Sequence, residues 1–296
     1  MINLDNIVTE AQQGGYRVPP EEYAANKKSE RDVLYSTADQ AALDITDDPR
    51  ELQKYLDVQA QFDRYTATNA LLVYAQNPSA TRLGTFEYWR GLKCPVISGP
   101  GSSISIFEAG KNYTRADSSV GRSYDVKKVF DISQVDVSKM RPERPKQKPT
   151  EKELLSALIS RASVAITPVD ELPGNQGATY DRAENTVYVQ RGLEFAETFR
   201  GLSYAVTLAE LSAKAEAPND PYFTAYCASY MLCKKHSVDT KSFTFETPPT
   251  ALANLDTPQE IRKELSHIRD AANSLSSRMA RSLGTAKRET KEHASR

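Results

Sequence analysis

Apolar and aromatic residues recur every three or four positions between Pro49 and Gln76, the spacing of residues that share one face of an α-helix. Asp48 precedes this run as an N-cap, Pro49 takes the first helical position, and Glu51 completes a capping box. Pro78 ends the run, because the residue before a proline avoids the α region. The pattern predicts one long helix from Pro49 to about Gln76. Its stripe is Leu52, Tyr55, Leu56, Gln59, Phe62, Tyr65, Asn69, Leu72, Val73 and Gln76.

Shorter helices are predicted on both sides. Residues 3–13 form one candidate, which Gly14 and Gly15 end and the Pro19-Pro20 pair keeps from continuing. Residues 29–43 form a second helix with a modest apolar face, and residues 85–89 form a third that ends at Gly91.

After Lys93 the pattern becomes that of β-strands. Residues 94–97, 104–108 and 124–132 form three short runs rich in β-branched and aromatic side chains, with glycine and asparagine turns between them. Helices followed by a small antiparallel sheet indicate an α+β fold.

Residues 138–152 carry several prolines and basic residues but one long apolar side chain, so this segment is expected to be extended. It is either a solvated linker or a basic tether that contacts phosphates. The chain is thereby divided into a lead-in (1–30), a first domain (31–137), the linker (138–152), a second domain (153–283) and a disordered charged tail (284–296).

The second domain is predicted to be rich in helices. A helix from Glu151 to about Arg161 precedes a strand at 165–167 and a β-hairpin of residues 178–180 and 186–190, and two helices follow at 197–215 and from Pro221 onward. A long amphipathic helix begins at Thr257 with another capping box and continues to Leu283. This last helix either packs across the second domain or binds a partner as in a coiled coil.

The composition limits the classes of function. Lys and Arg total 38 against 39 Asp and Glu, a net charge of −1, so any contact with nucleic acid requires a local basic patch. There is no apolar run of membrane-spanning length, and residues 1–15 do not resemble a signal peptide, so a cytoplasmic protein without a membrane partner is expected. The three cysteines lack a close pair, and P-loop, nucleophile-elbow and dinucleotide motifs are absent, so no cofactor is expected.

Aromatic residues alternate with basic ones between residues 64 and 111. Aromatic rings provide stacking surfaces for unpaired bases, and cations contact the phosphates. The equally simple alternative is that the aromatic residues pack in the core. The candidate nucleic-acid-binding residues are Arg64, Tyr65, Asn69, Tyr74, Arg82, Tyr88, Trp89, Lys93 and Lys111.

Four motifs between residues 65 and 134 resemble the N-terminal domain of ArdC-type antirestriction and conjugative-element proteins. They are Tyr65-Thr66-Ala67-Thr68-Asn69-Ala70-Leu71-Leu72, Gln76-Asn77-Pro78-Ser79-Ala80-Thr81, Phe86-Glu87-Tyr88-Trp89 and Val129-Phe130-Asp131-Ile132-Ser133-Gln134. The resemblance covers roughly residues 31–136. It implies a domain that binds single-stranded DNA.

The order helix, hairpin, helix, helix in the second half is similar to a minimal zincin-like metallopeptidase domain, which ArdC-type proteins carry after the DNA-binding domain. Such a domain needs two histidines and a glutamate on its first long helix. The resemblance places Tyr204, Ala205 and Leu208 at those positions and Thr224 at the position of the third ligand, and residues 1–235 contain no histidine. We therefore expect a zincin-like fold without metal or peptidase activity, with Glu210 outside the ligand set.

The function predicted is that of a single-stranded-DNA-binding accessory protein of a conjugative or plasmid-like element, active in antirestriction or DNA transfer. Its partners would be single-stranded DNA and proteins of the conjugation or restriction machinery. The alternative is a non-enzymatic protein-interaction scaffold without DNA binding, which the net charge of only +2 over residues 50–136 (11 basic minus 9 acidic) and a glycine turn at 98–103 without lysine favour. An active metallopeptidase would require stoichiometric zinc.

Overall fold

The computed structural model describes residues 19–99, 101–114, 117–142, 148–245 and 250–294, and it has the α+β architecture that the sequence predicts. The helix expected at residues 3–13 lies outside this part of the chain. None of the described helices is both long enough and apolar enough to cross a membrane. The helices are α1 (Pro20–Asp47), α2 (Pro49–Gln61), α3 (Ala67–Gln76), α4 (Phe86–Gly91), α5 (Glu151–Ile159), α6 (Phe195–Ser212), α7 (Pro221–His236), α8 (Thr250–Ala253) and α9 (Pro258–Ala294). The strands are β1 (Leu83–Gly84), β2 (Ile104–Thr114), β3 (Val120–Asp131), β4 (Ala165–Val169), β5 (Ala178–Asp181) and β6 (Thr186–Gln190).

Helix α1 begins at Pro20, nine residues before the predicted start at Ser29. A proline suits the first helical position, because its fixed φ is helical and the N–H that it lacks would have no partner there. The Pro19-Pro20 pair, interpreted as a helix breaker, therefore marks a helix start.

The single helix predicted from Pro49 to Gln76 is wrong. The chain leaves the helix after Gln61 and starts again at Ala67. The buried Gln59 stabilises the break, because its amide donates to the carbonyl oxygens of Phe62 (3.2 Å) and Tyr65 (3.4 Å). Thr66 then caps α3 by accepting a hydrogen bond from the Asn69 N–H.

The first sheet is antiparallel with the strand order β1-β3-β2. Ile104 pairs with Val129 and Ile106 with Lys127, and the register shifts between Ala109 and Asn112. Strands β2 and β3 extend beyond the predicted 104–108 and 124–132 into a long two-stranded arm. The strand predicted at 94–97 is not formed, and this segment makes one isolated bridge between Val96 and Val135.

The second sheet has the order β4-β6-β5, with β4 parallel and β5 antiparallel to β6. The predicted hairpin is therefore present. Helix α6 lies directly against the start of β5, where a Cβ atom at Gly201 would come within 2.8 Å of the Ala178 backbone nitrogen. Glycine at position 201 permits this close approach.

Helix α9 connects the two halves, since it packs against α1, α3, α5, α6 and α7. One buried core combines Leu34, Leu72 and Ile104 from the first half with Leu208, Cys227 and other residues of the second. A second core lies between α5, the second sheet, α6 and α9. The two-domain division stays a prediction, and in the structure both halves contribute to one core. Helix α9 continues to Ala294, into the segment predicted as a tail.

Candidate functional site

A groove of about 430 Å³ crosses one face of the first sheet. Ile106 lies directly opposite Lys127, and every second residue of a strand points to the same face. Ile106 and Val129 therefore form the floor of the groove, with Lys127 and Glu108 on the same face. Helix α3 and the segment before it close one side, and α4 closes the other. We call this the sheet groove, and its defining residues are Tyr65, Tyr88, Ile106, Glu108, Lys127 and Val129.

Two of the predicted stacking residues reach this groove. Tyr65 is half-buried and lies parallel to Phe62, with 5.5 Å between ring centroids. Tyr88 is 43% exposed, and its hydroxyl accepts a hydrogen bond of 2.7 Å from the Arg82 guanidinium. That guanidinium carbon lies 5.8 Å from the centroid of the Tyr88 ring, so cation and ring are presented together.

The Arg82 backbone is held by the buried carboxylate of Asp131, which belongs to one of the four sequence motifs. This carboxylate accepts from the N–H groups of Thr81 (2.7 Å), Arg82 (2.9 Å) and Ser133 (3.0 Å), and from the Ser133 hydroxyl (2.6 Å). Burial raises the pKa of Asp131, but these hydrogen bonds outweigh it, and the pKa lies below its ordinary value. A stable carboxylate thus positions the segment that carries Arg82.

The charges inside the groove are mixed. Lys127 forms an ion pair with Glu108, its diagonal neighbour on the adjacent strand, and both side chains are partly exposed. Sequence reasoning missed this pair, although the alternation of apolar and charged residues along β2 and β3 would have placed both on one face.

Asn69 reaches the groove but cannot serve as the predicted DNA ligand. Its side-chain amide donates to the Phe107 carbonyl oxygen and accepts from the Phe107 N–H, both at 2.8 Å. Gln76, two turns later on α3, makes the same pair of bonds to Ser105. The two amides therefore cover the open edge of β2 as a neighbouring strand would.

The structure also corrects the roles predicted for Trp89 and Tyr74. Trp89 is 0% exposed, and its indole N–H donates to the Phe130 carbonyl oxygen at 2.9 Å, so its ring cannot stack on a base. Tyr74 is buried on the opposite side of α3, where its hydroxyl donates to Glu51. Burial and this hydrogen bond raise the pKa of Tyr74.

The remaining predicted cations lie on the surface outside the groove lining. Arg64 is exposed in the turn between α2 and α3, and Lys93 is exposed after α4 with a φ of 61°. Lys111 is exposed in the irregular part of β2, away from the groove.

A larger cleft of about 750 Å³ lies in the second half, between β5, α6 and α7. Helix α6 contributes a stripe at intervals of four residues, Arg200, Tyr204, Leu208 and Ser212. Tyr222 and Tyr226 of α7 face it. We call this the helix–hairpin cleft, and its defining residues are Tyr180, Arg182, Arg200, Tyr204, Tyr222 and Phe243.

The four positions that resemblance assigned to a lost metal site lie on α6 and α7. Tyr204 and Leu208 line the cleft, whereas Ala205 and Thr224 are buried in the protein. Burial raises the pKa of Tyr204. Glu210 points away from the cleft and forms an ion pair with Arg278 of α9.

No family model matches the chain, and a search of curated proteins finds no match. Among solved structures, the metal-free and Mn(II)-bound forms of the antirestriction protein ArdC from plasmid R388 match with TM-scores of 0.51 and 0.50. The fold resembles that of ArdC. Both comparisons give 15% identity and cover 73% of this chain, with 86% and 85% of the respective ArdC chains, so the likeness concerns the fold.

One of the ArdC structures contains Mn(II), which raises the question of a metal site in this chain. Within the described ranges, no three His, Cys, Asp or Glu residues lie close enough to hold a metal ion. The lining of the helix–hairpin cleft presents Arg182 and Arg200, hydroxyls and aromatic rings. Cationic guanidiniums do not fit a divalent cation.

Proposed function

We propose that this protein binds single-stranded DNA as an accessory protein of a conjugative or plasmid-like element, in antirestriction or in support of DNA transfer. The fold likeness to an antirestriction protein supports the biological setting. The observation that carries the proposal is the placement of Tyr88, Arg82 and Tyr65 at the mouth of the sheet groove.

In this proposal an unpaired base stacks on the exposed face of Tyr88 while Arg82 contacts the adjoining phosphate. A second base reaches Tyr65 on the other wall. Each stacked base contributes about 1–3 kcal/mol, and the contact is tolerant of sequence because every base has a flat face. Double-stranded DNA cannot present its bases in this way.

We further propose that the second half has no enzymatic activity and serves as a scaffold. The donor chemistry of the cleft supports this, since its described lining contains no imidazole, thiol or carboxylate. Proteins of the conjugation or restriction machinery are the partners that fit this role.

The test is fluorescence anisotropy of a labelled single-stranded oligonucleotide, with duplex DNA as competitor. Tyr88→Ala should weaken binding about 5- to 150-fold, the loss of one stacked base. Tyr88→Phe keeps the ring and should bind nearly as the parent protein does. Tyr23→Ala is the matched control, because Tyr23 is 58% exposed on α1, away from the groove. Equal losses in the Tyr23 and Tyr88 alanine variants would contradict the proposal.

A protein-interaction scaffold without DNA binding is the second candidate. The exposed apolar side chains Phe86 (49%) and Ile97 (67%) favour it, as does the Glu108 carboxylate in the sheet groove. If no oligonucleotide binds even at low salt, this candidate replaces the first.

A further inference from the structure

The helix–hairpin cleft has features that the proposed DNA-binding function does not use. Its volume of about 750 Å³ lies within the range of roughly 300–1,000 Å³ that is usual for small-molecule sites. It has rigid walls, because α6 lies in backbone contact with β5 at Gly201 and packs along α7. Such a cleft is suited to a compact ligand.

The two arginines of the cleft favour a negatively charged ligand. Neither Arg182 nor Arg200 pairs with a carboxylate among the described residues, and the Arg200 guanidinium donates to the Asp239 carbonyl oxygen at 3.3 Å. Three acidic side chains near the cleft, including that of Asp239, already accept hydrogen bonds from backbone N–H groups. Asp181 accepts from the N–H groups of its own hairpin turn, and Asp220 caps α7 by accepting from Tyr222 and Phe223. Two guanidiniums without acidic partners favour an oxyanion, above all phosphate, which arginine binds in a bidentate manner.

The tyrosine rings of the cleft favour a ligand that carries a planar group next to its anionic group. Tyr204 follows Arg200 by one helical turn, a rise of about 6 Å along α6, which is comparable to the separation of phosphate and base in a mononucleotide. Tyr222 is 64% exposed on the facing helix. Tyr226 is held against Phe243, with 5.1 Å between ring centroids, and its hydroxyl is bonded to the Thr244 backbone, so this wall is fixed.

We propose that the helix–hairpin cleft binds a mononucleotide, with its phosphate on Arg200 and Arg182 and its base against Tyr204. Hydroxyl groups in the lining, such as that of Ser212, are available to the sugar or the base edge. The site takes an anion beside Tyr204 and Leu208, two positions that the sequence resemblance assigns to lost metal ligands, and its lining shares no residue with the sheet groove.

Isothermal titration calorimetry of the full chain tests this with deoxythymidine monophosphate, thymidine and inorganic phosphate. The monophosphate should bind with a submillimolar Kd, and the two fragments at least about tenfold more weakly. Arg200→Gln should weaken monophosphate binding about tenfold, the effect of losing a hydrogen bond to a charged group. Tyr204→Leu keeps the buried packing and should weaken it about fivefold, whereas Tyr204→Phe should retain it.

Arg191→Gln is the matched control, because Arg191 is exposed and pairs with Asp170 rather than lining the cleft. It should leave the affinity unchanged. Unfolding midpoints of all variants show whether each is folded. Absence of heat at millimolar monophosphate would overturn the proposal, as would equal binding of phosphate or thymidine alone, or equal binding by folded Arg200→Gln.

DNA binding at the sheet groove and monophosphate binding at the helix–hairpin cleft can be refuted independently of each other. Tyr88→Ala should leave monophosphate binding intact while it weakens oligonucleotide binding. If the oligonucleotide does not bind but the monophosphate does, the proposed DNA function fails and the cleft site stands.

Discussion

Asn69 is predicted to be a structural residue of the first sheet, and Asn69→Ala tests this directly. The substitution removes two hydrogen bonds of 2.8 Å to the backbone of Phe107 at a position that is 8% exposed. Each bond contributes about 1 kcal/mol net, and leaving the buried N–H and C=O of Phe107 without partners costs about 1–3 kcal/mol more. The expected loss in the free energy of unfolding is therefore about 3–5 kcal/mol.

Gln76→Ala is the matched control for this loss. Gln76 makes the same two bonds to Ser105, but its side chain is exposed, so water can replace the amide. Its loss should stay below about 1 kcal/mol. Both substitutions introduce alanine into α3, and the gain in helix propensity is larger for Asn69 than for Gln76 because asparagine is the poorer helix former. This difference opposes the predicted order of the two losses, so it cannot create it.

Urea unfolding followed by circular dichroism measures both values at pH 7. A cost for Asn69→Ala equal to or below that for Gln76→Ala would refute the edge-covering role. In that case Asn69 would be available again as a ligand of the sheet groove.

Three further predictions concern the second half. His236 is largely buried, its Nε2 atom has no hydrogen-bond partner among the described residues, and burial lowers its pKa from 6.5 to about 4. The unfolded chain binds this proton more readily, so stability should fall as the pH drops from 6.5 towards 4, by about 2 kcal/mol between pH 7 and pH 5. Urea unfolding of His236→Leu should show this dependence reduced, and an unchanged dependence would contradict the assignment. Gly201→Ala should lower the free energy of unfolding by about 1–2 kcal/mol in the same assay, because its Cβ meets the backbone of β5, although alanine favours helix by about 1 kcal/mol; a net gain would refute the close approach. Mn²⁺ and Zn²⁺ should not bind stoichiometrically to the purified chain, because the lining of the helix–hairpin cleft does not fit a divalent cation. One equivalent of tightly bound metal in elemental analysis would contradict this.

The helix boundaries show what periodicity can and cannot predict. The apolar stripe continues in phase from Leu52 to Val73 because α2 and α3 both face the same core. The signal for the break is therefore local, in the buried Gln59 amide and the Thr66 cap rather than in the pattern. The Pro19-Pro20 pair is similarly ambiguous, since proline both ends helices and starts them.

For the candidate site, the sequence indicates which side chains can stack on a base but not which of them the fold leaves exposed. Tyr88 and Trp89 are neighbours in the sequence, but the fold exposes one ring and buries the other under Phe130. Residue type indicates stacking chemistry in both cases, and burial depends on tertiary contacts. Asn69 illustrates the same limit, because an amide suits both a base and an open strand edge.

The most direct test of the central claim is to locate the bound strand. A single-stranded oligonucleotide containing 5-bromodeoxyuridine is photo-crosslinked to the full chain, and the attached peptide is identified by mass spectrometry. We predict attachment at Tyr88 or Tyr65, with loss of the crosslinked product in Tyr88→Ala. Attachment confined to residues outside the sheet groove, or no crosslink under conditions where the oligonucleotide binds, would contradict it.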